Sequence, residues 1–359
     1  MSIKIGFAEE LNINSSQIIE FYKLHWPRKI ALSDNIFHEW QFVNPPLNEN
    51  ANSCVLAVED NQILCVMGLN RRNFYLSEEL LTGAELTTWV ANPKTKGSGA
   101  GTMIINFIKN KFDVLFGMGI TQEALPIYIL SGFNYLRYIP RFLYVVNAEK
   151  ILQISDHMPY ASRLLKKSRH HNNEINFKKI SWRDMSDDPF IEGNHFSRNL
   201  SDLIWRYENH PYFNYLTYKI SSKDFGDGYV VLRAEITKEI KILHVIDILG
   251  PQEGFESSIK FIENYAEINE FWVVDIFTTF SMLNKYFNMR GWLSAVDSEF
   301  INVPHLYQPM EIRSPATTSL IYWSKTSNVS FYDLSGLYLT KQDCDLDRPT
   351  LRYIRNLDE

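Results

Sequence analysis

The stretch Pro93-Lys94-Thr95-Lys96-Gly97-Ser98-Gly99-Ala100-Gly101-Thr102 places glycine at every second position beside two lysines. Residues Ala84 to Val90 before it read as a strand. Residues Thr102 to Phe112 after it carry Met103, Ile104, Phe107 and Ile108 at helical spacing. Without Cβ atoms at Gly97, Gly99 and Gly101, the backbone can bend and approach a ligand closely. A helix that opens near Gly101 offers unpaired N–H groups and the positive end of its dipole. That combination binds a phosphate or diphosphate without a dense cationic pocket, and Lys96 adds one charge. The dinucleotide fingerprint needs G-x-G-x-x-G and the Walker loop ends in G-K-[ST]. The spacing G-x-G-x-G fits neither. A plain glycine-rich connection is the other reading.

Two nearby side chains could move protons. Glu85 lies on the strand before the loop, and simple alternation puts it on one face with Thr87 and Trp89. It reads as a general base or as an ordinary ion-paired strand carboxylate. Tyr128 lies near the end of a helix spanning about Glu123 to Leu130, which Gly132 terminates. Its phenol could protonate a leaving group, or simply fill a core. Farther on, Trp205, Arg206, Tyr207, His210 and Tyr215 form an aromatic group with one fixed charge, and Trp40 belongs with them. Aromatic faces stack a base or sugar, and Arg forks onto a diphosphate; a buried core satisfied by one Arg is the other reading, and the favoured one. Metal chemistry is not expected. Cys54, Cys65 and Cys344 lack ligand spacing, and His244 and Asp247 alternate to opposite strand faces. No His adjoins Cys54 or Cys65 to make a nucleophile. His170-His171 sits in a polar, basic stretch and reads as solvated.

These groups must be positioned by a mixed α/β chain. Ile18 to Trp26 is helical in pattern. Cys54 to Val58 and Ile63 to Leu69 read as a hairpin about a polar turn. Asp113 to Gly117 is a strand, and Tyr135 to Val146 one or two more. After a basic stretch at 161–173, a second mixed unit follows: strands Tyr229 to Ile236 and Lys241 to Leu249 around a turn at Lys238-Glu239, helix Ser257 to Ile268, strand Phe271 to Phe277 and helix Ser281 to Met289. The tail after Ser327 reads as irregular. The halves echo each other. Trp40 matches Trp205, and Tyr128-x-x-x-Gly132-Phe133 matches Phe287-x-x-x-Gly291-Trp292, in the same order of elements. A duplicated domain is the economical explanation.

Composition agrees. A chain of 359 residues at ~150 per domain suggests two domains. A net charge of −6 argues against a basic nucleic-acid surface. No apolar run reaches the ~20 residues of a membrane span, and Met1 to Asn12 is too polar for a secretory signal. Reduced thiols in a cytoplasmic setting are expected.

The loop Lys96-Gly97-Ser98-Gly99-Ala100-Gly101 resembles the acyl-CoA pyrophosphate loop of the GNAT N-acyltransferases, [RQ]-x-x-G-x-[GA], with Lys in place of Arg or Gln. Val90 and Pro93 stand where that family has V and P, and Tyr128 to Phe133 resembles its Y-x-x-x-G-F. The likeness covers roughly residues 1–147. It implies acyl-CoA as cosubstrate, gripped by Lys96, Gly97, Ser98, Gly99, Ala100, Gly101 and Thr102, with no metal. It also implies Glu85 as base, Tyr128 as acid and the Val90 N–H as oxyanion donor. The second half has Gly250-Pro251-Gln252-Glu253-Gly254-Phe255 at the loop position and cannot build the same cradle. The expected layout is a GNAT domain at 1–147, a linker at 148–175 and a degenerate GNAT-like domain at 176–359 that shapes the acceptor site. Tandem chains of this size are similar to the nucleotide-sugar N-acyltransferases of bacterial polysaccharide pathways and to the Fem-type aminoacyl transferases. The W-R-Y-x-N-H-P segment resembles the first group, in particular enzymes that acylate a dTDP-3-amino-3,6-dideoxyhexose. Small-molecule partners are thus implied, with no nucleic acid and no membrane. Aminoacyl-tRNA-dependent or protein N-acyl transfer, and a non-catalytic CoA-binding module, remain as alternatives.

Overall fold

The computed structural model describes residues 2–26, 30–165, 175–222, 226–237, 240–307, 310–343 and 347–356. The expectations for His170-His171, Cys344 and the Lys238-Glu239 turn lie outside these residues.

The first sheet contains β1 (Lys4–Phe7), β2 (Val55–Glu59), β3 (Gln62–Leu76), β4 (Glu79–Ala91), β5 (Val114–Met118) and β6 (Asn134–Leu136). Between β1 and β2 run α1 (Ser15–His25) and α2 (Asn35–Phe42). A reciprocal capping box between Asn14 and Gln17 starts α1, which buries Ile18, Ile19, Phe21 and Tyr22. The β2–β3 hairpin turns through Asp60 and Asn61 at φ 49° and 60°. Short polar side chains tolerate that left-handed conformation, which matches the strand twist. Helix α3 (Ala100–Lys111) joins β4 to β5, and α4 (Leu125–Leu130) leads to β6. Gly132 follows α4 at φ 82°, as the helix-ending glycine requires.

The second sheet contains β7 (Arg141–Val145), β8 (Asn176–Ile180), β9 (Leu216–Ser222), β10 (Gly226–Ile236), β11 (Lys241–Leu249), β12 (Val273–Phe277) and β13 (Leu293–Ser294). Helix α5 (Phe255–Ile268) joins β11 to β12, and α6 (Ser281–Met289) leads to β13. Strand β14 (Leu320–Ser324), absent from the sequence reading, joins the first sheet, as do the short strands Asn194–Phe196, beside β3, and Leu337–Tyr338.

The first sheet runs β1-β2-β3-β4-β5-β14-β6, and the second runs β8-β9-β10-β11-β12-β7-β13. The two orders are the same, and in each the strand before the last comes from the other half of the chain. Strand β14 pairs antiparallel with β5 and β6, while β7 pairs antiparallel with β12 and β13. The boundary expected at residue 147 falls just after β7, a strand of the second sheet. Short helices Ala148–Leu152 and Ala161–Leu164 occupy part of the segment expected to be a linker.

The duplication extends to the register. Gly83 pairs with Val114 and Glu85 with Phe116 across parallel β4 and β5; Ile242 pairs with Val273 and His244 with Asp275 across parallel β11 and β12. Each equivalent pair of residues is 159 apart (83 and 242, 114 and 273), the spacing of Gly132 and Gly291. The β3–β4 ladder is broken by a bulge at Thr87–Thr88, and the β10–β11 ladder by one at Ile246, again 159 after Thr87.

Candidate acyl-donor and acceptor sites

Strand β4 passes into the glycine loop, a single turn at Pro93–Thr95, and then α3 with Gly99 as its N-cap. Gly97 and Gly99 have φ 92° and 81°, values that cost an L-residue with a Cβ about 1–2 kcal/mol. A Cβ on either would meet nothing within 4 Å, so both face open space. At Gly101 a Cβ would stand 2.7 Å from the Trp89 ring, so this glycine lets α3 pack on β4. The loop partly satisfies itself: Ser98 N–H donates to the Thr95 carbonyl (3.1 Å) and Lys96 N–H to that of Pro93 (3.4 Å). Among the described residues, the N–H groups of Gly97, Gly99, Gly101 and Thr102 have no protein acceptor. Four free amides thus converge at the start of a twelve-residue helix, with Lys94 and Lys96 exposed beside them. This arrangement fits a diphosphate.

A gap opens next to the loop. The parallel β4–β5 ladder ends at Leu86 and Gly117, whereas β4 continues to Ala91, paired only with β3. The β4 edge from Thr87 onward is therefore free on the β5 side. Amide direction alternates along a strand. Asn92 N–H donates to the Leu64 carbonyl of β3 (2.8 Å), so Val90 N–H also turns toward β3. The amides that face the gap are those of Trp89 and Ala91. The Val90 N–H, expected as an oxyanion donor, thus faces β3 and not the gap.

The same bulge corrects the reading of Glu85. Two-residue alternation fails across Thr87–Thr88, and Glu85 and Trp89 lie on different faces. Trp89 packs edge-on against Tyr128, ring centroids 5.2 Å apart, and its indole donates to Cys65 Sγ (2.9 Å). Glu85 is buried on the other face, paired with Arg72 and accepting from Asn70 Nδ2 (3.1 Å). Arg72 in turn contacts Asp343 (3.0 Å), which binds Arg198 (2.6 Å), which binds Asp247 (2.7 Å). Burial pushes the Glu85 carboxyl up, and Arg72 offsets this only in part. Within this chain of charges Glu85 acts as an ion-pair partner.

Tyr128 is 2 % exposed, and its hydroxyl has no partner among the described residues. Burial, with Cys65 adding, raises its pKa, so the phenol stays protonated and can only donate. In the second half the equivalent Phe287 is wholly buried between Phe142 and Trp292 and carries no proton to give.

The six residues expected to form a stacking surface are instead packing between the halves. Trp40 and Trp205 are 6 % and 5 % exposed, with rings 5.2 Å apart at 20°. Arg206 is buried against both Trp40 and Tyr215, and its guanidinium donates to the Tyr215 hydroxyl (2.8 Å) and to Asp347 (3.2 Å). Tyr215 donates to Asp347 (2.7 Å), and Tyr207 to Asp247 (3.2 Å). His210 Nδ1 accepts from the N–H groups of Tyr212 and Phe213. Five of the six are buried, and Tyr215 is half-buried.

The sequence reading missed the polar side chains that do line a cavity. A space of about 260 Å³ lies between the ends of β10 and β11, the 305–307 and 341 segments, and α7 (Leu351–Asn356) with its lead-in. Arg233, Glu235, His244, His305, Lys341 and Arg348 line it. His244 is bonded to Asp275 and to Glu235 (3.0 Å), and Lys341 pairs with Asp275 (2.9 Å). Burial raises the Asp275 carboxyl, but Lys341, His244 and Arg141 together outweigh it and hold it well below the usual range. The available signal was a single charge inside an apolar strand, as in Tyr229-Val230-Val231-Leu232-Arg233 or Trp272-Val273-Val274-Asp275. Such a charge demands a buried partner. Among the described residues no three His, Cys, Asp or Glu side chains converge as metal ligands, and no helix is long and apolar enough to cross a membrane.

No protein-family sequence model and no curated protein sequence matches the chain. Solved structures do. A GCN5-related N-acetyltransferase from Anabaena variabilis ATCC 29413 aligns with a TM-score of 0.51 at 12% identity, over 89% of this chain and 72% of that one. A GCN5-related N-acetyltransferase from Kribbella flavida gives 0.50 at 10%, over 89% and 70%. Saccharomyces cerevisiae N-myristoyltransferase with bound myristoyl-CoA and inhibitors gives 0.51 at 9%, over 94% and 86%. At these identities the likeness is one of fold. The chain has the GCN5-related N-acetyltransferase fold, laid down in tandem with one strand exchanged between the copies.

Proposed function

We propose that this protein is an acyl-CoA-dependent N-acyltransferase that passes the acyl group directly from the CoA thioester to an amine. The observation that carries this reading is the set of free N–H groups at Gly97, Gly99, Gly101 and Thr102, opening beside the split between β4 and β5. The diphosphate of CoA is held by those amides with help from Lys96, and the thioester end lies along β4. The N–H of Trp89 receives the carbonyl oxygen as it gains charge, the preorganised donor such a step needs. The amine must be neutral to attack, because an ammonium has no lone pair. As the C–N bond forms and the C–S bond breaks, the amine proton departs to a base and Tyr128 gives its proton to the thiolate. The proton acceptor is Glu85, whose carboxylate also pairs with Arg72.

The acceptor class we propose is a nucleotide-linked amino sugar. Its support is the likeness of the Trp205-Arg206-Tyr207-Glu208-Asn209-His210-Pro211 segment to enzymes of that class, with the second half lacking a CoA loop of its own. Likeness of fold to an N-acetyltransferase and to an N-myristoyltransferase with bound myristoyl-CoA agrees with amine acylation from CoA. A thiol-release assay that crosses several acyl-CoAs with amino-sugar nucleotides tests the reading. Release of free CoA should depend on the amine. CoA binding without amine-dependent release from any pair would leave a binding module.

A further inference from the structure

The second half keeps the strands that make a donor cleft and has lost the anion-binding turn. His244 stands on β11 where Glu85 stands on β4, next to the retained bulge at Ile246. The turn that follows β11 is closed differently. Gly254 N–H is bonded to the Pro251 carbonyl, and the first residue of α5, Phe255, is buried. The cavity of about 260 Å³ beside His244 is therefore not a second CoA site.

Its lining has a definite chemistry. Arg233, Lys341 and Arg348 line the cavity beside Glu235, and Lys341 already directs its ammonium at Asp275 and His244. Arg233 uses Nε on Asp347 (2.8 Å) and Nη1 on Glu235 (3.2 Å), and its Nη2 has no partner among the described residues. His305 is 3 % exposed, and neither ring nitrogen has a partner among the described residues. A buried polar atom left unbonded costs about 1–3 kcal/mol, so this imidazole is built to meet something that enters the cavity. Arg348 also donates to Thr88 Oγ1 (2.9 Å) at the β4 bulge. It thereby ties the cavity to the strand along which the thioester lies.

We propose that this cavity is the anion subsite of the acceptor: it takes a phosphate or carboxylate carried by the amine substrate, held by Arg233 and Arg348 with a hydrogen bond from His305. The inference rests on the acyltransferase reading for the word acceptor, but its test does not. Calorimetric titration of the full chain with glucosamine 6-phosphate covers the phosphate case, and titration with β-alanine covers the carboxylate. One of the two should bind, and Arg348→Gln should weaken it about tenfold, the loss of one charge-assisted contact. His305→Phe, which fills the space without removing a cation, should abolish it. CoA titrated into the same variants should bind as in the parent chain, which also reports that they fold. No binding of either probe, or equal binding in both variants, with CoA affinity intact, overturns the subsite and leaves the donor site standing. Failure of CoA to bind the parent chain overturns the donor reading instead.

Discussion

Trp40 and Trp205, residues 165 apart, each donate the indole N–H to the other's main-chain carbonyl, at 3.1 and 2.8 Å. Their rings stack between the two halves, a reciprocal contact with the symmetry of a duplicated fold. Both hydrogen bonds are buried, and loss of one ring removes its own N–H donor and the stacking face, while the other indole keeps its main-chain acceptor. Trp205→Ala should therefore cost about 3–5 kcal/mol, the usual price of deleting a large buried aromatic side chain. Trp40→Ala should cost nearly as much, and the double variant much less than the sum. Urea unfolding of the three variants measures this. Additive losses would mean that the rings act independently.

Gly99→Glu should reduce CoA affinity by at least ~100-fold. A carboxylate facing a diphosphate costs several kcal/mol, at ~1.4 kcal/mol per tenfold. The space around Gly99 is open, so the substitution strains only the local backbone at φ 81°. Calorimetry with CoA reads the effect. Unchanged affinity would remove the loop from the donor site.

Tyr128→Phe removes one hydroxyl that has no protein partner, so folding should be undisturbed. If that hydroxyl protonates the thiolate, kcat should fall by ~100-fold with little change in KM for acyl-CoA. Thiol release under saturating donor is the measurement. An unchanged kcat would return Tyr128 to the role of packing Trp89 and Phe133.

Glu85→Gln separates support from base. Arg72 would keep Asp343 but lose one buried carboxylate, a change that should destabilise the fold by about 3 kcal/mol. For a supporting residue the pH dependence of kcat keeps its shape. Loss of the acidic limb of that profile in the variant would show that Glu85 takes the proton.

His38 and His195 predict an acid sensitivity. Burial lowers each imidazole from 6.5 to about 4, with Arg198 adding to the effect at His195. Above pH 6.5 both folded and unfolded chains hold these rings neutral, and stability is unaffected. As pH falls toward 4 the unfolded chain takes up protons that the folded one refuses, and stability is lost. The loss per ring is on the order of 3 kcal/mol once complete. Urea unfolding at pH 7 and pH 4.5 should show a smaller drop for His38→Gln/His195→Gln than for the parent chain. Equal drops would place the acid sensitivity elsewhere.

Much of the first half was legible in the order of its residues. Glycine spacing, the hairpin turn, the helical apolar stripe of α3 and the glycine that ends α4 all act over a few residues, and local sterics and periodicity decide them. The repeat was legible too, because duplication leaves marks at fixed intervals such as Gly132 and Gly291. What the linear order did not reveal depends on neighbours far away in the chain. The exchange of β7 and β14 follows from which edge each strand meets, as Ile321 meets Gly117 from 204 residues away. One extra residue at Thr87–Thr88 reverses every alternation after it, and so moved Glu85 away from Trp89. The cavity needs Arg233, His305 and Arg348 to converge from three separate segments, and only tertiary packing brings them together. Local chemistry was therefore written in the sequence, whereas which charges are paired, which aromatics are buried and which amides face the gap were decided by long-range contacts.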